Sequence, residues 1–349
     1  MRGRRRLIVV LAVVLLAGDT ISSASGPEWI DVHVHLIPDR QTSDYRGAVN
    51  AALAAMNEAS IAKAVVMPPP QPSGPGNVEL DGYAPALAPR QRFAAIGGGG
   101  TLNGMIQDTR SDAVDDRVRR RFEEQAEAIL KLGAVGFGEI TAHHLSHVPG
   151  HPYEIVEADH PLLLLLARIA AKRGVVIDFH FDVVAEETKA PAFLSVPPNP
   201  QVFRPNLAAF ERLLAHDRGA RIVWAHAGSD QLGWWTVELS RRLLAAHPNL
   251  HMSLRMLPGR APQNHPLGAG GAGIKPEWRA LLEEFPDRFV LGGDQFFVAP
   301  TVRGGSPAQQ FAQRAPIARQ RTRAFLDALP PALARKIAVE NAVRLYRLD

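Results

Sequence analysis

The chain of 349 residues contains no cysteine. It therefore forms no disulfide and carries no lipid attached through an N-terminal cysteine. Any metal it holds must sit among nitrogen and oxygen donors. Long apolar runs are also missing. The run from Leu7 to Ala17 has 11 residues, too short for a bilayer core, which needs about 20. Arg2, Arg4, Arg5 and Arg6 precede that run, and Ser22-Ser23-Ala24-Ser25-Gly26 follows it. Basic, apolar and small-residue regions in this order are those of a secretory signal peptide. Residues 1–24 are expected to be that leader, residues 27–349 the folded unit, and the destination periplasmic or extracellular. A strong excess of one charge is absent as well. The net charge of +4 rests on the leader, because cleavage near Ala24 leaves 35 basic against 34 acidic residues. A nucleic-acid partner then has little support, and no stable membrane anchor is expected after cleavage.

What is present is ordinary globular material, 46% hydrophobic and 21% charged, ample for a large core. Short apolar segments rich in Val, Ile and Phe alternate with helical periodicities. The strands end near 35, 67, 100, 139, 180, 226, 255 and 294, a mean spacing of about 37 residues per strand-helix unit. Eight such units predict an α/β fold, a (β/α)8 TIM barrel in a single domain with long loops over its catalytic rim. An open doubly wound sheet is the competing arrangement. The proline- and glycine-rich stretches after the second, fifth and seventh strands would lie on that rim.

In a barrel of parallel strands, chemistry sits at the C-terminal strand ends. The first strand, closing on Asp31-Val32-His33-Val34-His35, places two imidazoles on one side by simple alternation. Two imidazoles so spaced can grip one metal ion. Later strands end in Glu139, His180, His226 and Asp294. Each alone reads as a satisfied polar group at a strand end. Six together predict a shared partner, because burying such groups unpaired costs several kcal/mol. Arg255 ends the seventh strand and could grip a substrate carboxylate or form a salt bridge on the rim. His143, His144, His147, His151 and His160 are expected in a solvated loop. Trp234 and Trp235 are expected to pack beneath the barrel. Gly97 to Gly100 lacks the lysine and serine of a phosphate loop and reads as a flexible turn.

Six segments together make the chain resemble the amidohydrolase superfamily, in its amidohydrolase-related branch. They are DVHVHL at 31–36, GFGEI at 136–140, the histidine of IDFHFD, WAHAG at 224–228, GGDQF at 292–296 and ENAVRLYRL at 340–348. The resemblance implies a barrel holding one or two divalent metals, zinc first among them. By carry-over, His33, His35, His180 and Asp294 are expected to bind the first ion. His226 would bind a second ion or polarise the substrate. Glu139 would bridge two ions, in the place where binuclear relatives carry a carboxylated lysine or a glutamate. Asp294 and His226 are then the expected catalytic groups and Arg255 the substrate-binding one. The expected activity is hydrolysis of an ester, lactone, amide or phosphoester of a small molecule. The alternatives are a metal-dependent non-oxidative decarboxylase of the same superfamily and a non-catalytic binding protein. A homo-oligomer is compatible with all three.

Overall fold

The apolar segments pair side by side, all in parallel, because each is followed by a helix that carries the chain back to the start of the next. The computed structural model describes residues 28–39, 43–87 and 91–348; the expected leader lies outside them. The strands are β1 (Trp29–Ile37), β2 (Ile61–Val66), β3 in two segments (Phe93–Ala95 and Gly97–Gly98), β4 (Gly136–His144), β5 (Val176–Phe181), β6 (Arg221–Ala227), β7 (Leu250–Leu254) and β8 in two segments (Phe289–Leu291 and Gln295–Val298). The first segment of β3 pairs with β2 and the second with β4. Between them Ile96 donates its N–H to the Val66 carbonyl at 2.9 Å, and Val135 donates to Ala95 at 2.8 Å. Both halves belong to one stretch of chain, so the sheet returns on itself and the eight strands form a ring in sequence order. This is the (β/α)8 barrel.

Helices surround the ring. α1 (Tyr45–Ala59) starts on Asp44, α2 (Asp116–Lys131) on Asp115, and α3 (Pro161–Arg173) on His160, each through a side-chain cap. α3 ends at Gly174, whose φ of 64° is the left-handed conformation that glycine adopts most easily. α4 (Leu207–His216), α5 (Val237–Ala246), α6 (Pro276–Glu284) and α7 (Ala315–Asp327) follow, and α8 (Asn341–Tyr346) closes the chain. Among the described residues no helix is long and apolar enough to cross a membrane.

One buried cluster joins Ile30, Val32, Val65, Ile96, Val176, Val223 and Val290 to Ala342, Leu345 and Tyr346 of α8. Its strand residues come from six of the eight strands, and side chains from so many strands meet only inside the ring. Val34 and Leu36 belong instead to the larger cluster with the helices. The switch from Val32 inward to Val34 outward has a local cause. Between Asp31 and Val34 the pairing with β2 slips by one residue, a β-bulge. Simple alternation from Asp31 therefore fails, and the extra residue turns His33 and His35 to the inside.

Several boundaries differ from the sequence expectation for physical reasons. Gly97–Gly98 is strand rather than flexible turn, because it supplies the pairing to β4. The expected eighth strand is interrupted over 292–294, where the chain turns through Asp294. Towards the C-terminus the helical chain is interrupted at Gln313 and Arg314, with Pro316 in the first turn of α7, whereas residues 331–346 run as one continuous helix through a π-helical turn at Lys336–Glu340 into α8.

Gly99 lies where the chain passes the loop after β2. A Cβ there would strike the Pro68 and Pro69 carbonyl oxygens, which are backbone and cannot yield. Gly99→Ala should lower stability by about 1–3 kcal/mol, read as a lower denaturant midpoint at unchanged m-value. An unshifted midpoint would show that the loop after β2 moves freely.

Candidate metal centre

The ring order decides which polar strand ends meet. β1 neighbours β8, so the His33/His35 pair meets Asp294. β4, β5 and β6 are consecutive, so Glu139, His180 and His226 meet one another. Three sets of side chains come close enough to share a cation: His33, His35 and Glu139; Glu139, His180 and His226; and His33, His226 and Asp294. The expected quartet of His33, His35, His180 and Asp294 is therefore not the grouping observed. His180 falls with its sheet neighbours, and Glu139 spans the two halves.

The distances describe one buried centre. Glu139 Oε2 lies 3.4 Å from Nε2 of both His33 and His35. Glu139 Oε1 lies 2.8 Å from His180 Nδ1 and 3.2 Å from His226 Nε2. Asp294 Oδ1 lies 3.3 Å from His35 Nε2, and the two Nε2 atoms of His33 and His35 lie 3.2 Å apart. The outer nitrogens fix the tautomers. His35 Nδ1 faces the Met67 carbonyl at 3.0 Å, where only an N–H fits. His33 Nδ1 faces Asp178 Oδ1 at 3.1 Å, and His180 Nε2 faces Asp182 Oδ2 at 3.1 Å. With a proton on each outer nitrogen, the inner nitrogens turn lone pairs towards Glu139 and Asp294. Acceptors facing acceptors inside a protein require positive charge between them. Nitrogen and oxygen donors at this spacing suit a divalent transition metal.

The electrostatics give the same answer. When protons rather than a cation lie between these groups, burial pushes the Glu139 carboxyl up, but the His33 charge and the hydrogen bonds that the inner N–H groups of His180, His226 and His33 then donate outweigh it and hold it well below its ordinary value. Burial likewise acts against Asp294, and the Arg255 guanidinium, with Nη2 2.9 Å from Oδ2, keeps it below the usual carboxylate range. Burial lowers His180, yet the Asp182 and Glu139 carboxylates raise it to about 10. The centre thus attracts positive charge, whether protons or a cation.

Local backbone distortion aims these groups. Besides the bulge at His33, the β4–β5 register slips between Phe137 and Ile140, around Glu139. The β6–β7 register slips between Ala225 and Ala227, around His226. His226 has φ 79° and Asp294 φ 49°. Such positive φ is strained for non-glycine residues and persists where the surroundings demand it.

Above the centre opens a cavity of about 800 Å³. Its walls come mainly from the loops after β2, β4 and β8; the loop after β5 contributes nothing to the lining and that after β7 only Arg255. Two expectations change here. His143, His144 and His160 are buried rather than solvated, and His144, His147 and His151 line the cavity. The reason is a hairpin, in which β4 continues to His144 and pairs with Glu154–Ile155, folding the loop inward. His144 packs 4.6 Å from both His180 and His151, ring to ring. Trp235 stacks on Trp224 at 3.7 Å, in the packing role expected of it. Phe296 and Phe311, not among the expected site residues, also line the cavity; the position of Phe296 two residues after Asp294 is the signal the sequence carries for it. Asp178 and Asp182 are likewise additional to the expected residues, and each stands two residues from His180 on alternating positions.

The chain matches the family model described as Amidohydrolase over residues 30–348. Among solved structures it is similar to the TatD homologue of Escherichia coli K12, at 14% identity over 92% of this chain and 98% of that one, with a TM-score of 0.51. It is also similar to dihydroorotase from Saccharomyces cerevisiae, at 12% identity over 92% of this chain and 84% of that one, with a TM-score of 0.46. At these identities the likeness concerns the fold. No curated protein matches the chain in sequence.

The hairpin that shapes the cavity is tied down by a buried acid. Glu154 accepts from Asn103 Nδ2 at 2.9 Å and pairs with Thr141 Oγ1 at 3.1 Å. Burial raises its carboxyl to about 7 against the opposing hydrogen bonds. A carboxyl whose folded value is raised keeps its proton longer in the folded than in the unfolded chain. Stability then falls as pH rises from about 4.5 to about 7. Glu154→Gln, which never ionises and can make both contacts, should remove that part of the loss, flattening the fall in Tm between pH 5 and pH 8. A fall as steep as in the native protein would show Glu154 ionised throughout.

Proposed function

This chain belongs to the amidohydrolase family and is a metal-dependent hydrolase, and on that basis we propose a two-ion centre that cleaves an ester, lactone, amide or phosphoester of a small molecule. The carrying observation is that Glu139 turns one oxygen to His33 and His35 and the other to His180 and His226. His33, His35, Glu139 and Asp294 would hold one ion, and Glu139, His180 and His226 the other. The imidazole-rich donor set favours zinc. When bound, such ions lower the pKa of a coordinated water towards about 7 and so supply a nucleophile at neutral pH.

The protein's own groups do the rest. Asp178, Asp182 and the Met67 carbonyl hold the imidazoles in one tautomer, so the donors need no reordering. Asp294 takes the proton of the attacking water on its carboxylate and passes it to the leaving group. Arg255 keeps Asp294 ionised and also faces the cavity, where a substrate carboxylate could share its guanidinium. The lining of the cavity meets whatever enters and so sets which molecules reach the centre. The order of basic, apolar and small residues in 1–24 supports export of this enzyme.

Metal analysis of the purified protein should find about two ions per chain, falling to about one in Glu139→Ala. Asp294→Asn should lower kcat by about 10²–10⁴-fold with the fold intact by circular dichroism. Retained activity would remove Asp294 from the mechanism. Release of carbon dioxide from an unsaturated or aromatic acid, with no hydrolysis of any ester, would favour the decarboxylase instead.

A further inference from the structure

We propose that the cavity selects a substrate bearing a flat apolar ring next to its reacting group, and that Phe296 and Phe311 make that selection. The inference rests on the hydrolase reading of the same centre and adds the class of molecule it takes.

The argument is geometric. Phe296 follows Asp294 by two residues, and its ring stands 4.5 Å from that of His35. An apolar surface thus begins one ring-width from the donor cluster. Phe311, on the short helix Pro307–Ala312, lies 5.3 Å from Phe296 with the planes 38° apart. His151 meets Phe311 edge to face at 5.4 Å and 71°. All three rings line the cavity and are only half-buried, so part of each is open to it. Ile37 and Val302 extend the lining with further apolar surface. Burial, with the nearby His180 charge, keeps the His151 imidazole neutral, down at about 4, so the cluster of three rings adds no charge of its own at neutral pH, although Asp39 and Arg303 line the same cavity. Aromatic rings arranged in this way favour another ring, stacked or edge-on, over a flexible chain of equal carbon number, which must also lose rotamer freedom. A cavity of about 800 Å³ holds a small molecule of one to a few rings. The polar end of such a molecule would face the centre and Arg255, and its ring the phenylalanines.

Calorimetry on the metal-loaded protein with benzoate and heptanoate tests this without turnover. Benzoate should bind at least about tenfold more tightly than heptanoate. Phe311→Ala should cut that preference to about twofold or less while metal content stays unchanged. Phe311→Leu, which keeps the apolar volume without the ring plane, should also lower it and covers the case of a misfolded alanine variant. Equal affinities in the native protein, or a preference that survives both variants, overturns the proposal. A parallel assay of phenyl acetate against hexyl acetate separates the two readings. Ester turnover without ring preference in either assay would sink the aromatic wall and leave the hydrolase standing. Ring preference in binding with no ester, lactone, amide or phosphoester turned over would do the reverse.

Discussion

Glu139 is the group on which the mouth of this barrel depends. It is a carboxylate almost fully removed from water, with imidazoles from three other strands around it. Taking an ionised carboxylate out of water costs several kcal/mol unless matched charge and hydrogen bonds replace the solvent. Here the replacement comes from His33, His35, His180 and His226 together, and no neighbouring pair of strands could supply it. The barrel must close before Glu139 is compensated. Closing it brings the strand ends within reach of one cation, so fold and chemistry are linked through the same desolvated charge.

Aiming the donors disturbs the sheet. Three of the centre's residues sit at or beside one-residue register slips, and two have positive φ. Each such feature gives up ladder hydrogen bonds or favourable dihedrals. The strain is concentrated at the strand ends, while the opposite end of the ring is filled by aliphatic side chains and plugged by α8. A regular, apolar floor therefore holds an irregular, polar rim in place. The same division separates what can be varied from what cannot. The loops above the rim can change the cavity without touching the floor.

Specificity and catalysis also occupy different parts of that rim. Donors come from the strand ends, whereas the cavity wall comes from the loops after β2, β4 and β8. The histidine-rich stretch after β4 shows how such a loop becomes wall rather than solvent-facing chain. A short antiparallel pairing and the buried Glu154–Asn103–Thr141 contacts fold it over the centre, and burial then makes its imidazoles neutral. A polar loop read in isolation offers no sign of this, because Asn103, which ties Glu154 down, is 51 residues away in the chain.

The barrel was legible from the sequence because it is specified by short-range physics. Apolar strands of regular spacing, helix caps and terminating glycines and prolines each act over a few residues and agree with one another. The six polar strand ends stood out for the same reason, as charged or titratable groups in apolar surroundings. Pairing among them was not legible. Alternation along β1 would not have placed Val32 and His33 on the same side; a bulge does, and bulges depend on the partner strand. Nor could the strand-end list say that His180 belongs with Glu139 and His226, since that follows from adjacency in the closed ring. Residue types and their local pattern suffice to say which chemical groups are available and that strands deliver them to one end. Their partners, tautomers and orientation come from the folded ring, because those depend on contacts between residues far apart in the chain that exist only once it has closed.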